Sequence, residues 1–299
     1  SRREFLQATA AASLLLPGAG LGSLGRAAAQ QKLSQADITR FDPLGTVTIL
    51  HVTDIHAHLK PIYFREPAVN LGVGSEKGQP PHITGSAFRD YFKVTAGSAD
   101  AYALTFDDFS SLAKTYGKMG GMDRVATLIK AVRAERGDDK VLLLDGGDTW
   151  QGSWTSLKTN AADMVEVMEA LKVDAMTSHW EFTLGEARVK EIVEKSPIAF
   201  LAQNIRSKEW QEEVFPAAKV FEKGGVKIAV IGQAMPRTAV ANPNWMFPDW
   251  EFGLREDDMQ KQVDKARADG AAIVVLLSHN GVDNDKKMVS RVKGIDVCL

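Results

Sequence analysis

The chain has 299 residues, 44% hydrophobic and 25% charged, the balance of a globular protein with one large domain or two small ones rather than a disordered or fibrous chain. Its formal net charge of −2 leaves no basic surplus to neutralise a nucleic-acid backbone. The one cysteine, Cys298, excludes an internal disulfide and a CxxC site, so any metal must be held by His, Asp, Glu or Asn.

In chain order, paired arginines come first, in Ser1-Arg2-Arg3-Glu4-Phe5-Leu6-Gln7. A weakly apolar stretch rich in Ala, Leu and Gly follows over Ala8 to Leu24, then the small-residue run Arg26-Ala27-Ala28-Ala29-Gln30. This order of charged, apolar and small segments predicts a twin-arginine export signal over 1–29 and an N-terminal extension over 30–45. Pro17, Gly18, Gly20 and Gly22 dilute the stretch too far for a membrane span. The twin-arginine route carries folded proteins, which suggests a cofactor or metal installed before export.

From there strand-like and helix-like segments alternate. Short apolar runs predict buried strands at Thr46–Thr53, Val141–Asp145, Ile198–Ala202, Val226–Ile231, Ala272–Leu277 and Ile295–Leu299. Helical patterns lie at Met122–Arg136, Ala162–Leu171, Glu186–Glu194, Arg255–Asp269 and Asp285–Arg291, most with Gly or Asp near an end. Such alternation predicts a layered α/β domain, with its site in loops beyond the carboxyl ends of the strands. The segment 61–116, with Pro67, Pro80, Pro81 and patchy periodicity, reads as a long insertion of the kind that forms lids and recognition surfaces.

Four strand ends carry chemistry. The first closes in Thr53-Asp54-Ile55-His56-Ala57-His58, a carboxylate and an imidazole spaced to grip one ion. The second closes in Asp145-Gly146-Gly147-Asp148, where two glycines allow a tight turn and leave Asp148 at the mouth, able to bridge two cations. The third block is Asp174-Ala175-Met176-Thr177-Ser178-His179-Trp180-Glu181-Phe182, and the fourth ends in Ser278-His279-Asn280-Gly281. Each alone is weak, since Asp before Gly is a turn former by default. Together they are expected to point toward one edge of one sheet, notable in a chain with six histidines.

Asp54-x-His56, Gly147-Asp148, Ser178 to Glu181 and His279 resemble, in order and spacing, the dinuclear metallophosphatases of the 5′-nucleotidase-like branch. The third block departs from that branch, whose equivalent reads Gly-Asn-His-Glu-Phe. Aligned on Glu181-Phe182, His179 replaces the usual Asn ligand and Trp180 the usual catalytic His. A shift by one would instead make His179 the catalytic histidine and put Ser178 in the Asn position. The His-Trp-Glu-Phe-Thr run, Gly146-Gly147-Asp148-Thr149-Trp150-Gln151-Gly152, the insertion and the export signal resemble the thiosulfohydrolase family of the bacterial Sox sulfur-oxidation system.

That resemblance implies an α/β/β/α sandwich over 46–299 and a periplasmic enzyme with two divalent metal ions, manganese foremost. The implied activity hydrolyses the terminal sulfonate from a cysteine S-thiosulfonate on the SoxYZ carrier protein, releasing sulfate. One ion would use Asp54 and His56, the other His179 and His279, with Asp148 between them. It also implies a closing Gly-His-x-His motif and a second, C-terminal domain, neither of which occurs up to Leu299, so the chain reads as the catalytic domain only, incomplete.

His58 and Trp180 are the catalytic candidates, His58 as a substrate contact and Trp180 in the position of an acid that a persulfide leaving group does not need. Asp145 is expected to orient the Gly-Gly turn or a metal-bound histidine. Tyr63, Arg65, Arg89 and the stretch Tyr102 to Phe109 are candidate sulfonate or carrier contacts. Two alternatives stand beside this reading: a periplasmic 5′-nucleotidase or phosphodiesterase, and a metal-binding, carrier-docking subunit without catalysis.

Overall fold

Every residue of Val141–Asp145 is buried, as an unbroken apolar run requires when both faces of a strand are covered. The computed structural model describes residues 44–63 and 72–299. The expected export signal, nearly all of the 30–45 extension, Arg65 and Pro67 lie outside the described residues. The described residues divide into two compact units, one within Lys60–Glu135 and the other within Pro43–Leu59 and Arg136–Leu299.

The second unit carries ten strands: β1 Thr48–Val52, β2 Val141–Asp145, β3 Ala175–Met176, β4 Ala199–Phe200, β5 Ile205–Ser207, β6 Ala218–Lys223, β7 Val226–Gln233, β8 Trp250–Phe252, β9 Ile273–Ser278 and β10 Val297–Cys298. One sheet has the order β1-β2-β3-β4, all parallel. The other has the order β10-β9-β7-β6, with β6 antiparallel to β7 across the Gly224-Gly225 turn and the rest parallel. Strands β5 and β8 form a separate antiparallel pair.

Leu142, Leu144, Ala175 and Leu201 from the first sheet and its margin share one buried cluster with Ile228, Val230, Val275 and Leu277 from the second. The two sheets therefore pack face to face. Residues one position along, Ala229, Ile231, Val274 and Leu276, turn to the other side and meet Met259, Val263, Ala266, Met288 and Val292. Those five belong to, or directly follow, the two helices Glu256–Ala268 and Val282–Arg291, which cover the outer face of the second sheet. The period of two along β7 and β9 thus feeds two cores, and each Leu or Ile fully buried there contributes roughly 1.5–3 kcal/mol. This is the β/β/α part of the expected sandwich.

Two expectations are corrected. The four strand ends do not share one sheet: β1, β2 and β3 are in the first and β9 in the second, because alternate residues of both must be buried between them. The insertion, expected as a long ordered loop from its patchy periodicity, is largely helical where it is described. Among the described residues it holds α1 Gly85–Phe92, α2 Ala99–Leu104 and α3 Phe109–Tyr116, followed by α4 Met122–Arg136. The first three, of 8, 6 and 8 residues, are too short to show a period in sequence. They are held by a small core of Val94, Ala101, Tyr102, Leu112 and Ala113.

The remaining helices of the second unit are α5 Trp154–Thr159, α6 Ala162–Ala170, α7 Glu186–Lys195, α8 Thr238–Ala241, α9 Glu256–Ala268 and α10 Val282–Arg291. Of these, α5 and α8 are not legible in the sequence pattern. Helix α10 begins at Val282 rather than at the expected Asp285.

Candidate metal centre

Past the ends of β1 and β2 the two chain segments stay paired although neither is regular. Gly146 N–H donates to the Val52 carbonyl at 2.8 Å, Asp54 N–H to Gly147 at 2.9 Å, His56 N–H to Asp148 at 2.8 Å and Ala57 N–H to Thr149 at 3.0 Å. Asp54, His56, Ala57 and Asp148 all have φ between 48° and 56°, a left-handed conformation uncommon outside glycine. Such residues cluster where a structure needs particular side-chain directions. Here the result is to turn three polar side chains toward one point.

Gly147 has to be glycine. At φ 99° a Cβ would lie 3.0 Å from Ser178 Cα and 3.1 Å from His279 Nδ1, so the turn passes between two of the site's own loops.

Asp148 is the hub, and the residue is only 5% exposed. His56 Nε2 lies 3.7 Å from its Oδ2, His279 Nε2 3.5 Å from the same oxygen, and His179 Nδ1 3.2 Å from Oδ1. The Trp180 backbone N–H also donates to Oδ1 at 2.8 Å. Burial opposes the charge on Asp148, but the hydrogen bonds from His179 and His279 outweigh it and hold the carboxyl well below the usual carboxylate range. Burial likewise opposes charge on His279, yet bonding to Asp148, whose charge adds to it, and to the Gly146 carbonyl brings its imidazole up to about 9. The bond from His279 Nδ1 to Gly146 O, 2.7 Å, leaves Nε2 facing the hub.

Two groups of donors come together with one ligand atom each within 4.8 Å: Asp148, His179 and His279, and Asp54, His56 and Asp148. The sequence-derived ligand set is thus gathered at one place, with Asp148 common to both halves. These residues fit divalent ions: the donors are carboxylate and imidazole, which suit manganese, iron or zinc. His179 Nε2 is also buried without a hydrogen-bond partner.

Trp180 begins the 3-10 turn Trp180–Leu184 and is 39% exposed, so it does not pack beneath the loop. Its ring stands edge-on to that of His56, centroids 5.0 Å apart. His58 occupies the same loop as His56, with its N–H on the Ile55 carbonyl at 3.1 Å, and belongs to neither of the two donor groups.

Asp145 holds the Gly-Gly turn: Oδ1 accepts from Gly147 N–H at 2.9 Å and Thr149 Oγ1 at 2.8 Å. Burial first and the nearby Glu181 charge second push its carboxyl up to about 8.

Glu181, used in the sequence only to align the block, has a role that its neighbours in sequence do not reveal. Fully buried, it accepts four backbone N–H groups: Asp148 (3.2 Å) and His179 (2.9 Å) on Oε2, Thr149 (2.8 Å) and Trp150 (3.2 Å) on Oε1. It binds the second and third loops into one piece.

The candidates in the other unit are otherwise engaged. Arg89 is paired with Asp107 at 2.7 Å, and Tyr102, nearly buried, donates to the Gly117 carbonyl at 2.6 Å. Tyr63 is exposed, with Lys118 Nζ 5.5 Å from its ring centre.

No protein-family model matches the chain. Among curated proteins it is 29% identical to human 5′-nucleotidase over 204 residues, covering 65% of this chain and 34% of that protein. It is 31% identical to the snake venom 5′-nucleotidase of Naja atra over 188 residues, covering 60% and 34%. The chain spans about a third of the length of these curated relatives. Among solved structures, a 5′-nucleotidase precursor from Thermus thermophilus is alike in fold, with TM-score 0.60, 23% identity, and coverage of 84% of this chain and 40% of that one. Fold and centre together fit the 5′-nucleotidase-like branch of the metallophosphatases. Among solved structures the chain also resembles SoxB, the sulfate thiohydrolase of Thermus thermophilus. The two share 39% identity and a TM-score of 0.79 over 87% of this chain and 48% of that one.

Proposed function

We propose that this chain carries the metal centre of a periplasmic thiosulfohydrolase, exported by the twin-arginine route. Its substrate is a cysteine S-thiosulfonate on a SoxYZ carrier, and its ions are manganese. Water adds at the terminal sulfonate sulfur, the sulfur–sulfur bond breaks, sulfate is released and the carrier keeps a persulfide. The observation that carries this reading is Trp180, an indole at the edge of His56 and bonded through its backbone to Asp148, where related phosphatases place a histidine acid. Alkoxide departure needs a proton, worth roughly a hundredfold or more from a placed acid, whereas a persulfide is far less basic and leaves without one. The 39% identity with SoxB supports the same choice.

Divalent ions held by Asp54 and His56 and by His179 and His279, with Asp148 between, would polarise the sulfonate oxygens and activate water. The chain's own part is positional. Asp148 supplies buried negative charge common to both donor groups, the Gly146 carbonyl fixes the His279 ring, and Glu181 holds the two loops that carry Asp148 and His179.

A second reading, a 5′-nucleotidase, is favoured by the curated 5′-nucleotidases at 29% and 31% identity. Metal-replete protein assayed for sulfate release from a thiosulfonated carrier and for phosphate release from AMP separates them. Robust AMP hydrolysis with no sulfate release overturns the thiosulfohydrolase reading. Neither activity, from protein that binds its metals, leaves the non-catalytic docking subunit.

A further inference from the structure

Beside the metal centre runs a chain of buried amides that the proposed reaction does not use. Gln203 and Gln233 are fully buried and Asn280 nearly so. Gln203 Nε2 donates to Gln233 Oε1 at 2.6 Å, Gln233 Nε2 to Asn280 Oδ1 at 3.1 Å, and Asn280 Nδ2 to Asp285 Oδ1 at 3.0 Å. All three bonds run the same way, and obligate acceptors at both ends set that direction. The Leu254 carbonyl, 3.4 Å from Gln203 Nε2 at one end and 3.2 Å from Gln233 Nε2, can only accept, and so can an ionised Asp285 at the other. Aligned amides in a dry interior strengthen one another and resist reversal.

The chain ends around one metal-centre residue. Asp285 Oδ1 accepts from Asn280 on one side of His279 and from Ser278 Oγ, at 2.6 Å, on the other. Ser278 Oγ in turn takes the Asn280 backbone N–H at 3.1 Å. The backbone of Gln233 completes the hold by accepting the His279 N–H at 2.8 Å. His279 is thus flanked on both sides by residues tied to one carboxylate on α10, and its own main chain is tied to the strand that carries the relay.

We infer that Asp285 is a positioning residue for His279: its carboxylate orients the Gln203–Gln233–Asn280 relay and clamps the 278–280 loop so that the imidazole meets Asp148. It touches neither substrate nor ion and acts through the loop. Losing a partner that orients a metal-binding side chain costs about 10- to 100-fold in metal affinity.

The test compares wild type with Asp285→Asn, Asp285→Ala and, as a control on the same helix, Lys287→Ala. Manganese is titrated into each protein, and the His279 ring Nδ1–H signal is followed by NMR in the metal-free state, assigned from its absence in His279→Gln. The expected result is selective. The binding step lost in His279→Gln weakens about tenfold in Asp285→Asn and more in Asp285→Ala, the other step stays as in wild type, and the hydrogen-bonded ring signal is lost. Lys287→Ala behaves as wild type. Wild-type binding with an intact ring signal in Asp285→Ala overturns the assignment, and so does parallel loss of both binding steps with a lowered melting temperature. The metal arm rests on the two-ion reading and the NMR arm does not. If wild type takes up no manganese, that reading fails while the ring signal still decides the role of Asp285.

Discussion

Glu181 receives the backbone N–H of Asp148 at 3.2 Å, while the Asp148 carboxylate receives the N–H of Trp180, the residue just before Glu181, at 2.8 Å. The two acidic residues hold each other's loops in opposite directions. A buried carboxylate that accepts four backbone N–H groups is sensitive to its own chemistry more than to its size.

Glu181→Gln is therefore expected to be harmful although it is nearly isosteric. Its amide turns one acceptor oxygen into a donor facing two backbone N–H groups, at a cost of about 3 kcal/mol or more. For a domain of this size that is a fall of roughly 6–12 °C in melting temperature, read by thermal denaturation. A melting point equal to wild type would show that the four bonds are dispensable.

Asp148→Asn is expected to abolish turnover and to lose at least one metal equivalent per chain, because a neutral amide bridges two cations poorly. Elemental analysis of the purified variant decides it. Two retained ions with normal turnover would refute the shared role of Asp148 in the two donor groups.

Trp180→His is expected to raise phosphomonoester turnover relative to sulfate release. The indole ring lies 5.0 Å from that of His56, so an imidazole in its place stands at the mouth of the centre. Acid assistance matters for an alkoxide and little for a persulfide. Both reactions are measured on one metal-replete preparation. A flat phosphatase rate with both ions bound would move the alignment by one residue, to His179 and Ser178.

Asp145 predicts a pH dependence of stability in the metal-free protein. Burial, followed by the Glu181 charge, lifts its carboxyl from the ordinary 3.8 to about 8. A carboxyl raised on folding contributes its stability in full below its unfolded value and loses it as pH climbs through the folded one. Denaturant midpoints should therefore fall between about pH 5 and pH 8 in wild type and fall less in Asp145→Asn, which keeps an acceptor for Gly147 and Thr149. Equal slopes in the two proteins would show that Asp145 does not titrate in this range.

Strands and donors were written in the order of residues alone. Val141–Asp145, Val226–Gln233 and Ile273–Ser278 are legible because strands buried on both faces are apolar at nearly every position, and metal donors are legible because few residue types can serve. Asp54, His56, Asp148, His179 and His279 could be picked out, each just past such a strand or a shorter one. The rest waited on the folded arrangement, since it depends on partners distant in the chain. Glu181 meets Asp148 across 33 positions and Gln233 meets Asn280 across 47, and no local period encodes either contact. The division of the strand ends between two sheets arises only when both apolar faces are buried together. The short helices of the insertion exist because a small core, not their own propensity, holds them. A chain writes its local preferences in order, but the direction in which a buried carboxylate or amide must point is set by whatever obligate donor or acceptor the fold brings against it.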